Sequence, residues 1–335
     1  MIQNFSNLIQ LQRYFNNELT CVKYLENIRW EGNPKCPKCG CEKLYRIPTR
    51  LKHPDLEGYK DLQCSNKECK KMFSVLTDSI FGGGKISLQV WFAAMYLISA
   101  HKKGISSHQL AKDLGITQKS GWFVLHRVRA AFSPRPLDGK IQGVFAADET
   151  YIGGANKNRH ADKKIEGSQG RSSKDKTPVF GIMQTGGIMR TTVIPDTKAS
   201  TLKPIIKALV ASGSILVTDE WLGYSGLGKD YAHVVVKHSE GQYKSGAFSP
   251  NNVENFWSLL NRGIYGIYHQ VSPKHLHRYC YEFEYRFNLR KTTDVAKFIQ
   301  TMKQTKGKRL TYNQLISKPI LPANPTVDED GVVIE

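Results

Sequence analysis

The chain has 335 residues, 40% of them apolar, which is enough for a substantial core and excludes a disordered class. Lys and Arg number 48 against 29 Asp and Glu, a formal charge of +19 that favours a polyanionic partner, most often nucleic acid, through phosphate neutralisation. The N-terminus lacks a basic start followed by an apolar block, and the longest apolar stretch, "VWFAAMYLISA" (90–100), is too short for a membrane span. A cytoplasmic, nucleoid-associated setting with no membrane partner is the expectation, and cysteines there stay reduced or bind metal.

Residues 1–32 read as an N-terminal helical segment. In 33–80 lie two short-spaced cysteine pairs, Cys36 and Cys39 in "CPKCG" and Cys64 and Cys69 in "CSNKEC". Thiolates at these spacings close a tetrahedron around structural Zn²⁺, as in a zinc ribbon. So small a segment has little core, and metal binding would supply its folding energy. The alternative is free surface thiols. Cys41 is a fifth thiol nearby that could substitute for a ligand. "FGGGK" (81–85) fails the phosphate-loop pattern and reads as a flexible joint.

Residues 85–133 have helical periodicity. After "SLQVWFAAMYLISAHKK" comes a short helix opened by Ser106 or Ser107 and carrying Leu110, Ala111 and Leu114. Gly115 then turns the chain, and Thr117 caps a second helix. Helix, glycine turn and helix give the spacing of a helix-turn-helix, with an ordinary helical hairpin as the alternative. Lys119, Arg127 and Arg129 on the second helix are the candidate phosphate or base contacts.

From 140 to 300 the order is three strands, a helix, a strand, a helix-like turn, a strand and two helices. "GVFAADETYIGG" and "SILVTDEWLGY" are apolar runs that each end in a carboxylate, Asp148 and Asp219. A basic stretch without apolar period, 155–177, reads as an exposed loop. A mixed sheet with flanking helices, bearing acids on its first and fourth strands, is what an α/β ribonuclease-H-like fold requires. Adjacent strands would then bring together two aspartates 71 positions apart.

The third acid is sought on a helix. In "NNVENFWSLLNRGIYG", Val253, Phe256, Trp257, Leu260 and Ile264 form an apolar stripe. Glu254 lies on the polar strip beside it, 35 positions after Asp219. Phosphodiester chemistry is accelerated by two Mg²⁺ (or Mn²⁺) ions roughly 3.5–4 Å apart, which take hard oxygen ligands. Three acids clustered without metal would repel one another. Asp148, Asp219 and Glu254 are therefore the candidate Mg²⁺ ligands and catalytic residues. The following helix offers Lys274, His277, Arg278, Arg286 and Arg290 to line a DNA channel. Its tyrosines, Tyr279, Tyr281 and Tyr285, read as core or base-stacking groups. The tail from 301 to 335 reads as flexible.

Taken together, "NPKCPKCG", "LAKDLGITQKSGWFVLHRVR", "ADETYIGG", "VTDEWLGY", "NNVENFWSLLNRGIYGIYH" and "YEFEYRFNLR" resemble bacterial insertion-sequence DDE transposases of the ISXO type, over about residues 10–290. The resemblance implies that Asp148, Asp219 and Glu254 are the metal triad. It also implies binding of double-stranded DNA, both terminal inverted repeats and target, with nicking followed by strand transfer. At least a dimer on DNA is expected, because two ends must be held together. The family commonly has a basic residue seven positions after the glutamate. Here that place holds Asn261, with Arg262 next to it as the candidate DNA contact. Some relatives use asparagine as the third ligand, and Asn252 and Asn255 flank Glu254. A ribonuclease-H-like nuclease without joining, and a DNA-binding regulator, are the competing readings.

Overall fold

A computed structural model describes residues 5–134, 139–154, 160–166, 175–237, 240 and 251–317, with the backbone of 326–327 and 333–334. Most of the basic stretch 155–177 and of the tail beyond 317 lies outside the described residues. The chain divides into two units, Met1–Phe132 with Lys291–Ser317, and Ser133–Arg290 with Lys318–Glu335.

In the first unit, helices α1 (Leu8–Tyr14) and α2 (Glu18–Trp30) are each opened by an asparagine. The side chains of Asn7 and Asn17 accept from the backbone of Gln10 and Thr20 and satisfy orphan N–H groups. Three antiparallel strands follow, β1 (Leu44–Pro48), β2 (Lys60–Cys64) and β3 (Met72–Phe73), in that spatial order. Helix α3 (Leu88–Ala100) is buried on nearly every face, as its mostly apolar sequence requires. Helix α4 (Ser107–Leu114) is capped by Ser106 and α5 (Gln118–Ala131) by Thr117. Gly115 joins them at φ 63, a left-handed conformation that favours glycine.

The second unit is a mixed five-stranded sheet. Its strands are β4 (Val144–Ile152), β5 (Thr177–Gln184), β6 (Met189–Val193), β7 (Ile215–Thr218) and β8 (Ala232–Val235). The order across the sheet is β6-β5-β4-β7-β8. The β4–β5 and β5–β6 pairs are antiparallel, whereas β4–β7 and β7–β8 are parallel. Helix α6 (Ala199–Leu209) makes the crossover that leads into β7. It covers one sheet face, where Phe145, Ala147, Phe180 and Ile182 meet Leu202, Ile205 and Ile206. Helices α7 (Asn251–Gly263) and α8 (Leu276–Asn288) cover the other, packing Val253, Phe256, Trp257, Leu260 and Phe283 on Ala146, Val179 and Val217. Strand periodicity of two accounts for the division.

One ion pair ties α8 to the sheet and a second lies within the helix. Glu284 takes Arg190 of β6 at 2.7 Å and two hydrogen bonds from Thr191, and Glu282 pairs with Arg286. Arg286, expected in a DNA channel, is 5% exposed. Tyr279 and Tyr285 are buried core residues, and Tyr281 is half-buried.

The chain then returns to the first unit with α9 (Asp294–Lys303) and α10 (Tyr312–Ile316). The expected domain edge at 300 therefore falls at 290 instead. Residues 301–317, expected to be flexible, complete α9, form α10 and bury Met302, Leu310 and Leu315. Phe298 of α9 sits among Phe5, Phe15 and Phe92.

This return also corrects two expected DNA contacts. Arg127 is 3% exposed and donates to the carbonyls of Leu310 at 2.8 Å and Ile80 at 2.7 Å, its guanidinium stacked on Phe123. Burial, with Arg309 nearby, pulls its pKa down to about 10. Arg129 is 1% exposed. The 291–317 segment supplies the Leu310 carbonyl that takes Arg127, whereas Arg129, two positions on, points to the other side of α5. Phe81, expected in a flexible joint, is likewise buried, edge-on to Trp91.

Candidate active site and metal centre

The site begins with alternation along β4. Ala146 and Asp148 point to the α7–α8 face, whereas Phe145, Ala147 and Glu149 point to the α6 face. The parallel β4–β7 register ends at Ala146 opposite Val217, and two further steps bring Asp148 level with Asp219. On the other side Asp148 pairs with Gly181 of β5.

Gly181 is there for space. A Cβ at this position would lie 2.5 Å from both Trp257 and Met189. Its absence lets the Trp257 ring lie against the sheet, where its indole N–H donates to Asp148 Oδ2 at 3.1 Å. Trp257 is one turn from Glu254, which opens α7 on its exposed side. Asp219 Oδ1 accepts from the backbone N–H of Trp221 at 3.0 Å. Asn252 and Asn255 are exposed beside Glu254.

Electrostatics places the three acids in one neighbourhood. Burial pushes the Asp148 carboxyl up to about 6, and the charges of Asp219 and Glu254 push the same way. The Glu149 N–H and the Trp257 indole oppose the shift without cancelling it. A half-buried carboxylate beside two others, all hard oxygen donors, fits a divalent cation. The three are not a closed cage. Among the described residues, only the cysteine quartet has ligand atoms all within 4.8 Å of one another. Such an open set suits Mg²⁺, which keeps several of its waters.

In that quartet Cys36 and Cys69 bring their sulfurs to 3.7 Å and Cys39 and Cys64 to 3.5 Å. Two turns shape it. Gly40 N–H donates to Cys36 O at 2.9 Å, and Cys69 N–H to Asn66 O at 3.0 Å. Four thiolates leave no open position, so the zinc is structural. Cys41, the possible substitute, lies outside the quartet, with its sulfur directed at Lys43 O and Ser65 Oγ.

The remaining candidate DNA contacts belong to both units. Lys119 on α5 is exposed, its ammonium 5.2 Å from the Tyr312 ring centre. Arg262 is exposed on α7 and donates to Ser258 O. Lys274 and Arg278 are half-buried at the start of α8. Sequence reasoning missed Gly181 and read Trp257 only as core. A glycine inside a strand is a signal of close approach that was available.

Residues 140–288 match the ISXO2-like transposase domain, and residues 16–72 match the transposase zinc-ribbon domain. The two matched domains are those of ISXO2-like insertion-sequence transposases with a zinc ribbon. It is 27% identical over 283 residues to a protein in transposable element ISH50 of Halobacterium salinarum, covering 81% of this chain and 91% of that one. A transposase-like protein of Haemophilus influenzae is 29% identical over 115 residues, 34% of this chain and 89% of its own length. No solved structure matches. Among the described residues, no helix is long and apolar enough to cross a membrane.

Proposed function

We propose that the chain binds the ends of its element as double-stranded DNA, nicks them and joins the freed 3′-OH to target DNA. The observation that carries this reading is the shared neighbourhood of Asp148, Asp219 and Glu254, in which Asp148 is raised to about 6 by burial and by the other two charges. Asp148 and Asp219 would hold two Mg²⁺ or Mn²⁺ ions with Glu254. Bound ions would stabilise charge on the attacking and leaving oxygens of an in-line displacement.

The protein's own part is orientation. Trp257 aims the Asp148 carboxylate and the Trp221 N–H aims Asp219, so both present oxygens from neighbouring interior strands of the sheet. In the first displacement a water oxygen bonds to phosphorus and the 3′-oxygen leaves. In the second, that 3′-OH bonds to a target phosphorus and another 3′-oxygen leaves. No protein–DNA bond is required. Lys119 on the α4–α5 helix-turn-helix, with Arg262, Lys274 and Arg278, would neutralise phosphates. Two ends held together require at least a dimer.

A joining assay with a pre-cut, labelled element end tests the reading. Transfer of label into target DNA in Mg²⁺ supports a transposase. Nicking of intact ends without any joining would leave a nuclease instead.

A further inference from the structure

Asp148 and Asp219 sit beyond the last residues that pair β4 with β7, because that ladder stops at Ala146 and Val217. Sheet hydrogen bonds therefore do not fix the distance between them. On the α6 face of β4, two tethers span this gap. The Tyr224 hydroxyl donates to Glu149 Oε1, and Tyr224 is 1% exposed. Further along, Tyr151 and Thr197 bring their hydroxyls to 3.3 Å, Thr197 O accepts from the Trp221 indole at 2.9 Å, and Trp221 N–H holds Asp219. The turn that carries Asp219 is thus tied to β4 at 149 and at 151. Gly223 leaves no slack in that turn, since a Cβ there would meet Thr197 O at 2.8 Å.

We propose that Glu149 and Tyr224 are a positioning pair that sets the spacing of Asp148 and Asp219 for divalent-ion binding. The proposal rests on the reading of these aspartates as metal ligands. Glu149 acts as a hydrogen-bond acceptor and not as a ligand, because strand alternation turns it to the face opposite Asp148. A carboxylate acceptor makes the stronger kind of hydrogen bond, and a buried phenol without an acceptor is costly.

The test uses the full-length protein and four variants: Tyr224→Phe, Glu149→Ala, Glu149→Gln and the double Tyr224→Phe/Glu149→Ala. Mn²⁺ affinity is read by electron paramagnetic resonance without DNA, alongside kcat and KM for nicking and the Tm. Tyr224→Phe and Glu149→Ala should each weaken Mn²⁺ binding and lower kcat by about tenfold, with KM for DNA nearly unchanged, and the double variant should be no worse than either. Glu149→Gln, whose amide oxygen still accepts, should stay close to wild type. Full Mn²⁺ affinity and kcat in Tyr224→Phe, with only a lower Tm, would overturn the proposal. So would a Glu149→Gln variant as impaired as Glu149→Ala, or wild-type protein that binds no Mn²⁺. If wild type binds Mn²⁺ yet nicks no DNA, the proposed function fails and the Mn²⁺ titrations alone decide the pair.

Discussion

The Trp257 indole donates to Asp148 from directly above Gly181, so one ring both packs α7 on the sheet and aims a carboxylate. Trp257→Phe keeps a ring over Gly181 and removes the donor. It should lower the nicking rate by about tenfold while costing about 1 kcal/mol of stability. Gly181→Ala forces a methyl into that ring. It should destabilise by about 1–3 kcal/mol, read as a lower Tm. Equal rates in Trp257→Phe and wild type would remove the aiming role.

Asp148 also couples charge to stability. Its folded carboxyl is raised from 3.8 to about 6, so between those pH values the native state holds more protons than the unfolded chain. Metal-free protein therefore loses stability as pH rises through that window, and the deficit is complete above it. Asp148→Asn should raise the Tm of chelated protein at pH 7.5, with a gain that shrinks as pH falls toward 4. Added Mg²⁺ should stabilise wild type more than the variant. A lower Tm for Asp148→Asn in chelator would contradict the uncompensated charge.

The cysteine quartet predicts one Zn²⁺ per chain by elemental analysis. Cys36→Ser or Cys69→Ser should lose it and destabilise the first unit, whereas Cys41→Ser should retain it. Zinc lost from Cys41→Ser but kept in Cys69→Ser would reverse the assignment.

Burial separates the basic residues of α5. Lys119→Ala should weaken DNA binding and flatten its salt dependence while leaving the Tm near wild type. Arg127→Ala leaves the Leu310 and Ile80 carbonyls without their donor and should cost about 1–3 kcal/mol, seen first as a lower Tm. A Tm unchanged in Arg127→Ala, with DNA affinity lost, would return that residue to the interface.

These contrasts mark how far the sequence could be read. Cysteine spacing and the apolar stripe of α7 are local patterns that survive translation into structure, whereas Asp148, read as the end of its strand, lies in the middle of β4, which runs on to Ile152. The Arg127–Leu310 contact depends on a segment some 180 positions later that returns to the first unit, and helical period cannot reveal which face it will cover. The Tyr224–Glu149 contact was hidden for a related reason. Alternation shows that Glu149 faces away from Asp148, but only the α6 crossover brings Tyr224 there. Trp257 was legible as core, not as a donor, because its partner lies on a strand more than 100 residues away.

The most direct measurement is metal-dependent nicking of labelled element-end DNA by wild type, Asp148→Asn, Asp219→Asn and Glu254→Gln, with binding measured in parallel. In Mg²⁺ each variant should lose nearly all nicking while retaining DNA affinity, because removing negative charge beside phosphates does not weaken attraction. Ca²⁺ should support binding with little cleavage, its looser geometry positioning oxygens poorly. Activity retained in both Asp148→Asn and Asp219→Asn would contradict the metal-site account. Near-normal nicking by Glu254→Gln, with activity lost in Asn252→Ala or Asn255→Ala, would move the third ligand to an asparagine.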